Sequence, residues 1–132
     1  MTGGIHNDNL IYPELSYTIV GILFEVYNRL GHGYQERYYE RAIKNELTKQ
    51  GIFFKNQHPF KLMYKGECIG RYFLDFLIED KLILEIKTGD YFARRNFEQV
   101  KAYLHGTKRQ LAILANFTSK GVKYKRVVNI VD

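Results

Sequence analysis

The stretch Arg71-Tyr72-Phe73-Leu74-Asp75-Phe76-Leu77-Ile78-Glu79-Asp80-Lys81-Leu82-Ile83-Leu84-Glu85-Ile86-Lys87 holds two apolar runs on either side of a polar Glu79-Asp80. Both runs read as strands, joined in a tight hairpin. Side chains alternate faces along a strand, so Arg71, Phe73, Asp75 and Leu77 are expected on one face. Lys81, Ile83, Glu85 and Lys87 are expected together on one face of the next strand. A hairpin centred on Asp80 sets Asp75 opposite Glu85, with Cβ atoms about 4.5–5.5 Å apart. Two carboxylates that close repel and are costly in an apolar sheet. A divalent cation between them removes the cost, and Lys87 on the same face reaches a phosphate or a water beside the ion. The plainer alternative is a polar sheet face with a cross-strand charge cluster. The ion site is favoured because the acids interrupt strongly apolar strands near their ends, where an α/β sheet binds ligands.

Working outward, the pattern predicts helix, helix, strands, helix, strands. Ile19, Leu23, Val26, Tyr27 and Leu30 recur at helical spacing over Glu14 to Leu30, and Gly31-His32-Gly33 ends that helix. A second helix is expected from about Tyr34 to Gln50, closed by Gly51. Phe53 to Tyr64 reads as a strand that Pro59 assigns to a sheet edge or an irregular start. Lys65-Gly66-Glu67 is a hairpin turn, and Cys68 to Ile78 and Lys81 to Lys87 are the next strands. A loop from Thr88 to Arg94 leads to a helix from Arg95 to His105, ended by Gly106. Gln110 to Phe117 is an apolar, buried strand, and a last strand spans about Tyr124 to Val131.

At 132 residues and 45% hydrophobic, the chain is long enough for one real core. The single cysteine, Cys68, excludes an internal disulfide, fits a reducing compartment and is expected as a buried thiol. Residues 1–8 show neither the basic nor the apolar segment of a secretory signal, and no apolar run approaches the roughly 20 residues of a membrane span. Cytoplasmic location, away from any membrane, is the default. The net charge of +6 is uneven. From residue 91 to 131 the chain carries nine Lys/Arg and a single acid, Glu98, whereas the first ninety residues are nearly balanced. A basic third next to an acidic site is the footprint of a polyanion binder.

Two helices supply further candidates. Glu36, Glu40, Ile43 and Leu47 fall on one face of the second helix. Glu36 lies in its first turn, where an acid also suits the helix dipole. Gln99 and Tyr103 project from one face of the third helix at i and i+4. His6, His32, His58 and His105 lack metal-ligand spacing.

Asp75 followed by Glu85-Ile86-Lys87 resembles the core of the PD-(D/E)XK nuclease superfamily. Gln99-Val100-Lys101-Ala102-Tyr103 is similar to the Gln-x-x-x-Tyr motif of its RecB-like branch. Gly33-x-x-Glu36-x-x-Tyr39 is similar to the motif that names the GxxExxY family within it. Each motif is weak alone; in this order and spacing they are specific, and they cover about Leu15 to Val128. Leu74 stands where the superfamily's proline would precede the aspartate. Glu36 stands where RecB-like relatives often carry a histidine.

The resemblance implies a restriction-endonuclease-like α/β fold. It expects a central mixed sheet flanked by helices, an αβββαβ core, a tail over 1–13 and one domain over 14–132. It implies Mg²⁺ or Mn²⁺ held by Asp75, Glu85, the backbone carbonyl of Ile86 and Glu36. Asp75, Glu85, Lys87, Glu36, Gln99 and Tyr103 would form the catalytic set. Lys87 would orient the attacking water, and Gln99 and Tyr103 would position the strand. Arg94, Arg95 and Lys101 are candidates to grip backbone phosphates. Tyr91 and Phe92 either stack on an unpaired base or anchor their loop in the core. The expected activity is hydrolysis of nucleic acid, DNA first. The alternative is a non-catalytic or partner-dependent nucleic-acid-binding module. Tyr17, Phe24 and Tyr27 of the first helix leave apolar surface for a homodimer, and a partner protein could supply specificity.

Overall fold

A computed structural model describes residues 11–129 of the chain. Helix α1 (Pro13–Leu30) starts at a proline, whose fixed φ suits the first helical turn and whose missing N–H would have had no helical acceptor. Ile19, Ile22, Leu23 and Val26 form its buried stripe. Gly31 (φ 75) and Gly33 (φ 101) take left-handed conformations that turn the chain into α2 (Glu36–Lys49). Tyr39 secures this corner. Its ring stacks on Phe117 with centroids 4.1 Å apart. Its hydroxyl donates to the Gly31 carbonyl at 2.6 Å. The glycine and tyrosine of the Gly-x-x-Glu-x-x-Tyr motif therefore shape and staple the α1–α2 corner.

Five strands follow: β1 (Phe54–Tyr64), β2 (Glu67–Ile78), β3 (Leu82–Thr88), β4 (Leu111–Thr118) and β5 (Gly121–Val128). They lie in the order β1-β2-β3-β4-β5. β3 and β4 are parallel and the other neighbours antiparallel, so the sheet is mixed. The parallel pair needs a crossover, and α3 (Arg94–Thr107) provides it. Every residue of β4 is buried, as expected of a strand covered on both faces. α1 and α2 pack on one face, against Phe76, Ile78, Leu82, Leu84 and Ile86. α3 packs on the other, with Leu74, Leu77, Ile83, Ala112 and Leu114. The fold is thus the expected α/β architecture: an αβββαβ core preceded by one helix and followed by one strand. Among the described residues, no helix is long and apolar enough to cross a membrane.

Glu79 and Asp80 take φ values of 54° and 56°, the mirror-image turn that matches strand twist. This turn sets Phe76 opposite Leu84, the register expected from the sequence. The expected alternation along β2, however, fails at Asp75. Leu77 packs with α3, but so do Leu74 and Tyr72, two positions of opposite parity. Arg71 and Phe73 therefore do not share a face with Leu77. At the same level of the neighbouring strand, Gln57, across from Asp75, has a left-handed φ of 51°. That conformation is uncommon for a residue with a side chain and re-aims the strand locally.

Three further expectations change. Gly106 does not end α3, which runs to Thr107 and is closed by Lys108 at φ 57. Gly106 instead admits a close neighbour, since a Cβ there would lie 2.5 Å from Phe60 Cζ. The last strand starts at Gly121 rather than Tyr124 because the β4–β5 turn closes at once, pairing Thr118 with Gly121. It ends at Val128, and the remainder of its expected range reaches beyond the described residues. Cys68 is exposed, not buried, because the β1–β2 ladder runs on past the last β2–β3 pair and is uncovered there. In α1, Tyr17 and Phe24 are exposed, whereas the Tyr27 hydroxyl donates to the Thr118 carbonyl at 2.6 Å.

Candidate active site

Beyond the Phe76–Leu84 pair, backbone pairing of β2 with β3 gives way to side chains. The Asp75 N–H donates to Glu85 Oε2 at 2.7 Å. The Ile86 N–H donates to Asp75 Oδ2 at 2.8 Å. Each acid thus caps the backbone beside the other where the strands begin to fork. The two carboxylates converge as the hairpin register requires.

Burial makes this pair electrostatically expensive. Glu85 is only 3% exposed. Burial first, and the Asp75 charge second, push its carboxyl up to about 8. Burial likewise raises Asp75, opposed by the hydrogen bonds from Ile86 and Gln57. The charge of Lys87 pulls both acids back down. Tyr103 is pushed up to about 12 by burial and then by the charges of Glu85 and Asp75. Its phenol is therefore a protonated donor on the α3 side of the acid pair.

Beside the acids lies a cleft of about 460 Å³, lined by Glu36, Lys87, Thr88, Arg95, Asn96 and Gln99. It joins the start of α2, the end of β3 and the first turns of α3. Asp75, Glu85, Ile86, Lys87 and Tyr103 are thus gathered at the fork, and Glu36, Gln99 and Arg95 at the adjoining cleft. The other candidates lie elsewhere. Arg94 is exposed at the start of α3, and Lys101 sits over the Phe97 ring at 5.3 Å. Tyr91 is 87% exposed and borders a separate depression with Asp90, Ser119 and Lys120. Its neighbour Phe92 packs against the α3 core, the anchoring role foreseen for it.

The sequence reading missed several polar neighbours. Glu40, one turn beyond Glu36, is the α2 acid whose charge acts on both Asp75 and Glu85. Its Oε2 accepts from Asn56 Nδ2 at 2.7 Å and from Gln57 Nε2 at 3.0 Å. Asn56 also donates to the Asp75 carbonyl at 2.8 Å, and Gln57 to Asp75 Oδ1 at 3.1 Å. The sequence signal was an amide pair just ahead of Pro59 in an edge strand, with an acid one helical turn past Glu36. Asn116 is buried in β4 opposite Lys87 and donates to the carbonyls of Gly89 and Tyr91 at 3.2 and 3.0 Å. It fixes the loop that follows Lys87.

The donor set suits a hard divalent cation. Asp75 and Glu85 offer carboxylate oxygens that face one another across the fork, and burial raises the cost of leaving both charged without a counter-ion. Among the described residues, no three or more His, Cys, Asp or Glu side chains are gathered into a ready-made cage. Mg²⁺ needs none, since it is commonly held by one or two carboxylates with waters and substrate phosphates completing its shell.

Known proteins share the fold and the family of this chain. A solved structure titled "Crystal structure of SSO0001" shares the fold, with a TM-score of 0.54 and 15% identity. The match covers 92% of this chain and 59% of that one, so this chain spans little more than half of that relative. No curated protein matches the sequence. The sequence profile of the PD-(D/E)XK nuclease superfamily matches residues 13–127, which takes in the fork, the cleft and every element from α1 to β5. The chain belongs to the PD-(D/E)XK nuclease superfamily.

Proposed function

We propose that this protein is a metal-dependent nuclease of the GxxExxY type, acting on DNA through one domain over 14–132. The observation that carries the reading is the reciprocal Asp75–Glu85 arrangement at the strand fork, with Lys87 beside it. Asp75, Glu85 and the Ile86 carbonyl would hold Mg²⁺ or Mn²⁺, with Glu36 contributing from the cleft directly or through water. When bound, the ion supplies positive charge to the attacked phosphate and acidifies the attacking water.

The remaining work falls to the chain. Lys87 orients that water and offsets the negative charge that develops on the phosphate. Tyr103, held protonated by its surroundings, donates a hydrogen bond toward the reacting phosphate. Gln99 and Arg95 hold the strand in the cleft, and Arg94, Lys101 and Tyr91 extend the contact outside it. Phosphate contacts of this kind grip without reading sequence. A cytoplasmic setting suits the exposed free thiol of Cys68.

Incubation of linear, circular and single-stranded DNA with Mg²⁺ or Mn²⁺ tests the proposal. Cutting by the parent protein that is lost in Glu85→Ala and Lys87→Ala supports it, and cutting of circles marks an endonuclease. Salt-sensitive binding with no cutting by any form refutes the nuclease reading in favour of a binding module or a subunit that acts with a partner.

A further inference from the structure

We infer that Gln57 is a positioning residue that ties Glu40 to the Asp75 carboxylate and so brings a further acid, beyond Asp75, Glu85 and Glu36, to the edge of the ion site. In a regular strand, Asn56 and Gln57 would point to opposite faces of the sheet. Here both side-chain amides donate to the same oxygen, Glu40 Oε2, at 2.7 and 3.0 Å. The left-handed φ of 51° at Gln57 accounts for this, because it breaks the alternation at that residue. A conformation so rare for a non-glycine persists only where its surroundings hold it, and such outliers cluster at functional sites.

Gln57 Nε2 bridges two acids, Glu40 Oε2 at 3.0 Å and Asp75 Oδ1 at 3.1 Å. An amide does this without adding charge. It draws the carboxylates together yet leaves their negative charge for a cation to answer. A lysine or arginine in the same place would satisfy the acids and compete with the ion. Asn56 reinforces the link by donating to both Glu40 and the Asp75 carbonyl, which fixes Asp75 from its backbone side. The edge strand β1, which carries no expected catalytic residue, thereby aims the acid on β2. Loss of a partner that orients a ligand in this way commonly weakens metal affinity by roughly 10- to 100-fold.

The inference rests on the ion-site reading of Asp75 and Glu85, and the test separates the two. Mn²⁺ affinity is measured by calorimetry on the whole chain, without nucleic acid, for the parent, Glu85→Ala, Gln57→Ala, Gln57→Gly, Glu40→Ala and the Glu40→Ala/Gln57→Ala pair. Both Gln57 variants are expected to bind Mn²⁺ about 10-fold or more weakly. Gln57→Gly tolerates the backbone conformation, so its loss reports the missing amide and its melting curve confirms folding. Because Gln57 links Glu40 to Asp75, adding Gln57→Ala to Glu40→Ala is expected to weaken binding by less than Gln57→Ala weakens the parent. Parent-like affinity in both Gln57 variants, or an undiminished further loss in the double variant, overturns the positioning role. A parent that binds Mn²⁺ no better than Glu85→Ala overturns the ion site itself, and this inference with it.

Discussion

Replacing Glu85 by glutamine is expected to stabilise the protein when divalent ions are absent, and the gain is expected to grow with pH. Burial raises the Glu85 carboxyl from 4.5 to about 8. Between those values the folded chain holds a proton that the unfolded chain has released. Stability therefore falls as pH rises through this window. At about 1.4 kcal/mol per pH unit, the cost relative to acid reaches about 3 kcal/mol at pH 7 and stays below about 1 kcal/mol at pH 5. Glutamine keeps the shape, and its carbonyl can accept the Asp75 N–H that Glu85 Oε2 accepts at 2.7 Å. It never ionises, so it escapes the cost. For a chain of this length the gain at pH 7 corresponds to roughly 10 °C in melting temperature. Melting curves in chelator at pH 5 and pH 7 read it directly. Saturating Mg²⁺ is expected to reverse the order, because only the parent keeps both carboxylates for the ion. The reasoning fails if the variant melts no higher than the parent at pH 7, or if its advantage is equal at both pH values.

Other substitutions probe the supports of the site. Tyr39→Phe removes the donor to the Gly31 carbonyl and is expected to cost about 1–2 kcal/mol in urea unfolding; an unchanged midpoint would show that the hydroxyl does not staple the α1–α2 corner. Asn116→Leu frees the carbonyls of Gly89 and Tyr91, with an expected loss of about 1–3 kcal/mol and faster amide exchange in the loop after Lys87. Exchange that stays at the parent rate would refute that anchoring. Arg95→Ala is expected to weaken DNA binding to a similar degree for every sequence and to lower the salt slope by about 1. A slope that does not move would take Arg95 out of the phosphate contacts.

The centre of the fold was legible because short-range rules fix it. The polar pair Glu79-Asp80 between two apolar runs defines one hairpin register, and that register leads to Asp75 and Glu85. The period of α1, the largely apolar β4 and the edge position of Pro59 follow from equally local chemistry. What could not be read depends on contacts between distant elements. Gln57 carries no mark of a left-handed residue, since glycine or asparagine would be the usual choice there. Its conformation makes sense only once Glu40 of α2 and Asp75 of β2 stand on either side of it. The face change along β2 falls at the same level of the ladder, beside Gln57. Gly106 looked like a helix end because glycine so often is one. Its actual partner, the Phe60 ring, arrives from β1, far away in the chain.

The central claim is that the Asp75–Glu85 fork is a divalent-cation site, and locating an ion there tests it most directly. Crystals grown without metal and soaked in millimolar Mn²⁺ would be measured for anomalous scattering. The account predicts a peak between the two carboxylates, within coordination distance of the Ile86 carbonyl, that is absent from Glu85→Ala crystals. A map with no peak at the fork, or with its peak held by other residues, would contradict it.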